Sequence, residues 1–163
     1  MSENVKIIPE GYHSVNPYLV VRNADRAIEF YKKAFSAEER FRMYGPDGKT
    51  IVHAELKIGD SVCMLIEESS EMKVLSPESI GGSPVSLYVY VKDADGVFNQ
   101  AVAEGATALH TVKDQFYGDR SGYLQDPFGH LWFIATHKKD LSPDELRKAG
   151  EAFFEEMSEA KAA

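Results

Sequence analysis

The chain has one cysteine among 163 residues, Cys63. A single thiol excludes an internal disulfide framework and any zinc site built on several cysteines. It lies in "SVCMLIE", a strand-like apolar run with no neighbouring cation to lower its pKa, so it reads as a small buried hydrophobe. Also missing is any run near the roughly 18 apolar residues of a membrane span. The opening residues, "MSENVKIIPEGYHSVNP", carry neither the basic nor the apolar region of a secretory signal, which sets the expectation of a cytoplasmic protein with no membrane partner. Positive charge is short too. Eighteen Lys and Arg face 26 Asp and Glu, and the formal charge of −8 opposes a phosphate backbone, so a nucleic-acid partner is not expected.

What is present suffices for a core, since 44% of the residues are apolar. The organising feature is an internal echo. "PYLVVRNADRAIEFYKKAFSAEE" (17–39) lies over "LYVYVKDADGVFNQAVAEGATAL" (87–109) at an offset of 70, matching Val21 with Val91, Asn23 with Asp93 and Ile28 with Phe98. Each copy reads as a strand, a capping Asn or Asp, then a helix with apolar positions at helical spacing. The same offset sets His53 on Tyr123, Glu55 on Gln125, and Gly59 on Gly129. Each half therefore reads as β, α and further strands, with hairpin turns at Gly45–Gly48 and at Asp126–Gly129.

Between the halves, 67–84 has loop composition, either a solvated linker or a flap over a cleft. After them, Ser142, Pro143 and Glu145 form a capping box that starts a C-terminal helix over 142–160. Its Leu146, Phe153 and Met157 share a face suited to packing on the domain or on a second subunit.

Strand alternation separates two faces. Leu87, Val89 and Val91 should meet the helices, leaving Ser86, Tyr88, Tyr90 and Lys92 opposite; likewise Leu19 and Val21 face in, and Asn16, Tyr18, Val20 and Arg22 face away. On 51–58, His53, Glu55 and Lys57 form the densest titratable group of any predicted strand. In "HLWFIAT" both faces are apolar, and Trp132 alternates with Phe133 to become core.

Together "YLVVRNADRAIEFYKKAF", "HAELKIGDS" and "DQFYGDRSGYLQDPFGHLWFIATH" resemble the vicinal oxygen chelate superfamily of glyoxalase I, bleomycin resistance proteins and extradiol dioxygenases, closest to its PhnB-like branch. The resemblance spans about 16–137. It implies an α+β fold of two βαβββ modules, about 16–66 and 85–137, forming a cupped mixed sheet within a single 1–163 domain that also carries the C-terminal helix. It further implies a homodimer.

In the metalloenzymes of that superfamily four strand positions hold a divalent ion such as Zn, Ni, Fe or Mn. Carried over, they fall on Asn16, Glu55, Ser86 and Phe133, of which Glu55 alone is a good ligand. The first expectation is therefore a protein that binds a small organic molecule without the usual metal, in a cleft walled by Tyr18, Glu55, Ser86, Tyr88, Tyr90 and Phe133. A glyoxalase-like lyase or isomerase with Glu55 and His53 as acid and base is the alternative, and so is a displaced metal on His53, Glu55 and either His110 or His13. Glu55 paired with Lys57 or Arg120 is the plain reading of that carboxylate. Tyr117 and Arg120 fit the cleft rim as ligand contacts, and Asp119 with Arg120 fits a turn pair. A non-catalytic interaction module remains the third class.

Overall fold

Asn23 and Asp93 open the two helices of the repeat, their side chains accepting the N–H of Arg26 at 3.2 Å and of Gly96 at 3.0 Å. The computed structural model describes residues 5–162. Its first half runs β1 (Tyr18–Val21), α1 (Ala24–Phe35), β2 (Glu38–Tyr44), β3 (Ile51–Ile58) and β4 (Ser61–Glu67). After a four-residue helix, α2 (Pro77–Ile80), the pattern repeats as β5 (Ser86–Tyr90), α3 (Ala94–Ala103), β6 (Thr107–Asp114), β7 (Asp119–Gln125) and β8 (Leu131–His137). The last helix, α4, spans Pro143–Ala162 behind the capping box of Ser142 and Glu145. No helix among the described residues is long and apolar enough to cross a membrane.

Each half is a βαβββ module with its own four-stranded mixed sheet, ordered β1-β4-β3-β2 and β5-β8-β7-β6. In both, the first strand pairs parallel with the last. The offset of 70 joins Tyr18 to Tyr88, but pairing across the sheets makes Glu55 the counterpart of Tyr123 and Met64 that of Phe133. The constant-offset alignment of Glu55 with Gln125 is thus corrected. The second module has shorter connections before its third strand. Its final turn is one residue longer, three residues between Asp126 and His130 against two between Ile58 and Ser61.

The two modules share one core. Tyr31 and Phe35 of α1 lie against Trp132 of β8, with ring centroids at 5.7 and 4.7 Å, and Phe30 meets Phe128 at 6.0 Å. The helix-covered sides of both sheets therefore turn inward, and the other sides turn outward. Within that core, Asp126 is almost fully buried and has four donors. Its Oδ1 accepts the N–H groups of Phe128 and His130, both at 2.9 Å, and its Oδ2 accepts the Tyr31 hydroxyl at 2.6 Å and the Trp132 indole N–H at 2.9 Å. One carboxylate closes its own turn and ties α1 to β8. Burial, then the charge of Asp126, holds the Tyr31 hydroxyl well above its ordinary pKa.

The 67–84 segment is stitched down. Glu67 accepts the N–H groups of Asn23 and Ala24 at the start of α1. Glu68 accepts from Arg22 at 2.6 Å, from the Ser79 hydroxyl at 2.6 Å, and from the Ser76 N–H and hydroxyl at 3.0 and 2.8 Å. Gly129, at φ 88°, lies so near α2 that a Cβ would stand 2.8 Å from Cβ of Pro77. Glycine here lets the segment dock on the β7–β8 turn.

At the other end, Phe153 of α4 stacks on Phe116 at 4.9 Å, whereas Leu146, Phe154 and Met157 stay exposed.

Removing the Tyr31 hydroxyl leaves a buried carboxylate one donor short, so Tyr31→Phe should lower the unfolding free energy by about 1.5–3 kcal/mol. Urea denaturation measures it, and an unchanged midpoint would show the hydroxyl to be idle. A second expectation concerns Glu68, whose pKa is pulled from an ordinary 4.5 to about 2 by hydrogen bonds, first from Ser79, then from Arg22 and Ser76. Its contribution is complete above about 4.5 and is lost as the pH falls toward 2. Across that window Glu68→Gln should flatten the fall in stability relative to the unaltered protein; parallel curves would contradict the assignment.

Candidate functional site

The outward face of the second sheet carries a row of rings, one from each strand. Tyr88 (β5), Phe133 (β8), Tyr123 (β7) and His110 (β6) follow one another across the sheet because the pairings set Tyr88 against Phe133, Phe133 against Tyr123, and Tyr123 against His110. Successive centroids lie 5.3, 4.2 and 6.0 Å apart, with interplanar angles of 18°, 21° and 17°. Ser86 shares a 3.0 Å hydrogen bond with the Tyr123 hydroxyl. Beside the row is a cavity of about 220 Å³, whose lining includes Phe133, Tyr123, Tyr117, Ser121 and Lys113.

Beyond the rings sits a buried charge. Asp119 of β7 accepts the hydroxyls of Tyr88 and Tyr90 on Oδ2, both at 3.0 Å, and Nδ1 of His137 on Oδ1 at 2.7 Å. Burial raises its pKa, but the hydrogen bonds from His137, Tyr88 and Tyr90 outweigh burial and bring it below the usual value. Burial, followed by hydrogen bonds to Tyr117 and Asp119, raises the Tyr88 phenol. Burial, then Asp119, raises that of Tyr90. Tyr117 and Ser121 complete the group, their hydroxyls 3.2 Å apart.

The outward face of the first sheet is built differently. The equivalent row is Tyr18, Met64, Glu55 and Phe41. Glu55 stands 3.4 Å from His53 Nε2 and 3.8 Å from Arg40. A hydrogen bond from Tyr12, then one from His53, lowers its pKa against the pull of burial. A carboxylate held below its usual range is a poor proton acceptor at neutral pH. Neither Lys57, which is exposed, nor Arg120 is its partner.

The predicted residues thus form two groups. Ser86, Tyr88, Tyr90, Tyr117 and Phe133 share the second sheet's face, while Tyr18, His53 and Glu55 share the first's. Asn16 sits ahead of β1, where its side chain is bonded at both ends to the backbone of His13. Arg120 is not at the rim: alternation turns it to the helix side, where it grips Asp95 of α3 through two nitrogens at 2.6 and 2.7 Å and reaches Asp114 at 3.2 Å. Nor is it a turn partner of Asp119. Cys63 is buried, and burial pushes its thiol up to about 12.

The register also corrects the carried-over ligand set. The counterpart of Phe133 in the first module is Met64 on β4, one strand away from Glu55. Asn16, Met64, Ser86 and Phe133 offer an amide, a thioether, a hydroxyl and a phenyl ring, and this set does not fit Zn, Ni, Fe or Mn. A displaced site fares no better. Among the described residues no three His, Cys, Asp or Glu side chains are placed to hold one metal ion, and His110 stacks on Tyr123 in the other sheet from His53.

Sequence reasoning gave Asp119 only a turn role and passed over Ser121 and Tyr123 as site residues, although the three alternate along β7 and so share one face; it also passed over His137, which lies opposite Asp119 in the β7–β8 ladder. Both His137 nitrogens face carboxylates, Asp119 at 2.7 Å and Asp140 at 3.0 Å, so the doubly protonated ring is favoured and its pKa is raised, first by Asp119 and then by Asp140. Any stability this gives is complete below an ordinary 6.5 and is lost as the pH rises through the higher folded value. An NMR titration of the His137 ring should give a midpoint above 6.5, lowered by Asp140→Asn; a midpoint at or below 6.5 contradicts the paired geometry.

Known proteins share this architecture. The profile of the Glyoxalase/Bleomycin resistance protein/Dioxygenase superfamily matches residues 12–134. An uncharacterised protein of Mycobacterium tuberculosis is 41% identical over 139 residues, covering 83% of this chain and 81% of that relative. Among solved structures, TioX from Micromonospora sp. ML1 superposes with a TM-score of 0.59 at 24% identity, over 80% of this chain and all of that one. The PhnB protein from Bacillus cereus gives 0.59 at 20%, over 76% and 99%. A fosfomycin resistance protein from Listeria monocytogenes, FosX, solved with Mn(II), gives 0.57 at 16%, over 77% and 89%. With its paired βαβββ modules and a profile match across most of its length, the chain belongs to the glyoxalase, bleomycin resistance protein and dioxygenase superfamily.

Proposed function

We propose that this protein is a homodimeric binding protein that holds a small organic molecule against the ring row of its second sheet without the superfamily's divalent metal. The observation that carries the reading is Phe133. It occupies the position that resemblance assigns to the last metal carboxylate, and it is packed between Tyr88 and Tyr123. A phenyl ring there supplies apolar contact area and no lone pair.

The orientation of the sheets supports the dimer. Both cleft faces turn outward, and each leaves large side chains in solvent: Tyr18, Phe41 and Met43 on the first, Tyr88 and Tyr90 on the second. One sheet makes only half of a cleft. Apposing the first sheet of one subunit to the second sheet of its partner encloses a ligand between Tyr18 and Glu55 on one side and Tyr88 and Phe133 on the other. Such an enclosure removes apolar area from water on both walls.

An NMR screen of uncharged one- and two-ring aromatic fragments tests the reading. Hits should shift Tyr88, Tyr123 and Phe133 resonances together, and Phe133→Ala should weaken them about tenfold, the loss expected when a central aromatic anchor of a site is removed. Hits confined to other surfaces, or none at all, would overturn it.

A further inference from the structure

One seam between the modules is closed and its counterpart is open. On β1 the carbonyls of Pro17 and Val21 accept from Met64 and Glu68, both at 2.9 Å, so alternation turns the backbone groups of Tyr18 and Val20 to the free edge of the sheet. There the β7–β8 turn meets them, and Nε2 of His130 donates to the Val20 carbonyl at 3.0 Å. On β5 the Val91 N–H donates to Ala135 at 2.8 Å, so Tyr88 and Tyr90 present their N–H and C=O groups to the other free edge. The register makes Tyr90 the counterpart of Val20, and Ser61 that of His130. Ser61 is short, and its hydroxyl donates to Asp60 at 2.9 Å instead. The β3–β4 turn is also the shorter of the two. Beside the β5 edge this leaves a cavity of about 460 Å³, lined by Leu87–Tyr90, Val62, Cys63 and Trp132, with Gly59 and Asp60 exposed at its mouth. Burial follows the same asymmetry: Leu19 and Val21 are buried, whereas their counterparts Val89 and Val91 are half-buried.

We propose that this open seam is a second binding site, for a short apolar peptide that lies extended along β5 with its free amino terminus at Asp60. An extended peptide alternates N–H and C=O groups at the spacing of a strand edge, so it gives Tyr88 and Tyr90 the backbone partners that β8 gives Leu87 and Val89. Its apolar side chains leave water for the wall of Val62, Cys63 and Trp132. The cavity falls within the roughly 300–1,000 Å³ that encloses a small ligand. A tripeptide, rising about 10 Å, spans most of the roughly 13 Å of Leu87–Tyr90. The Asp60 carboxylate at the mouth favours an ammonium group over an uncharged end. The seam uses the backbone edge of β5, whereas the ring row uses its outward side chains, so this site does not depend on the binding reading above.

The test is an NMR titration of the full chain with the tripeptide amide valyl-isoleucyl-valinamide and with its N-acetyl form, followed by amide hydrogen exchange at saturating peptide. Exchange at Tyr88 and Tyr90 should slow at least about tenfold, while Leu87 and Val89, already bonded to β8, stay unchanged. Acetylation should weaken binding about threefold, the size of an exposed ion pair. Asp60→Asn, a surface substitution, should cost the free-amine peptide the same factor and leave the acetylated one unaffected. Equal affinity of the two peptides for the unaltered protein, or indifference of the free-amine peptide to Asp60→Asn, overturns the Asp60 anchor. Failure of both peptides to bind, or binding that leaves Tyr88 and Tyr90 exchange unslowed, overturns the seam site. Shifts confined to Tyr123 and Phe133 overturn it too, and in that case the ring-row reading stands alone.

Discussion

The Asp126 carboxylate is the point on which the two halves of the molecule turn. It is nearly inaccessible to water, and its four donors come from its own turn, from β8 and from α1 of the other module. An ion at that depth is tolerable only when fully hydrogen-bonded, so the Tyr31 and Trp132 rings must sit where their polar atoms reach it. Those rings in turn carry the aromatic packing between the modules. His130, just past the turn, adds a 3.0 Å contact to the Val20 carbonyl of β1. Once the modules are joined through their helix sides, the opposite sides can only face outward, and the candidate site follows from that constraint.

On those outward faces the two modules have diverged while keeping one frame. The same four-strand row reads Tyr18, Met64, Glu55 and Phe41 in one sheet and Tyr88, Phe133, Tyr123 and His110 in the other. The first sets one carboxylate among Tyr12, His53 and Arg40. The second keeps its carboxylate at the margin of the row, paired with His137 and hydrogen-bonded by two phenols. Neither arrangement resembles a metal cradle, which needs several oxygen or nitrogen donors converging on one point. Both suit a wall that holds a ligand by ring contact and a few oriented polar atoms.

Much of the fold was legible because its signals are local. Apolar spacing in 24–35 and 94–103, the caps at Asn23 and Asp93, and the Ser142 capping box each depend on a few neighbouring residues. The site was legible only in part. Alternation put Tyr18, Ser86, Tyr88, Tyr90 and Phe133 on the outward faces, and that reading agrees with the strand pairings. Register is different, since it depends on connection lengths and is invisible to a fixed offset. The fixed offset sets Phe133 on Cys63, one residue short of its counterpart Met64, and the carried-over ligand position was placed on Glu55, one strand away on β3. Arg120 was misplaced at a rim or a turn for a related reason: β7 has already begun at Asp119, and alternation within that strand sends the guanidinium to Asp95. Asp119 and His137 are 18 residues apart and meet only across a ladder, so no local pattern announced them.

The central claim is that ring packing has replaced metal ligation in this cleft. Elemental analysis of the protein, purified without chelator and without added metal, tests it most directly. The account predicts Zn, Ni, Mn and Fe all far below one ion per subunit, with none retained after equilibration against each metal and dialysis. One tightly held ion per subunit, lost on Glu55→Gln or on Asp119→Asn, would contradict it.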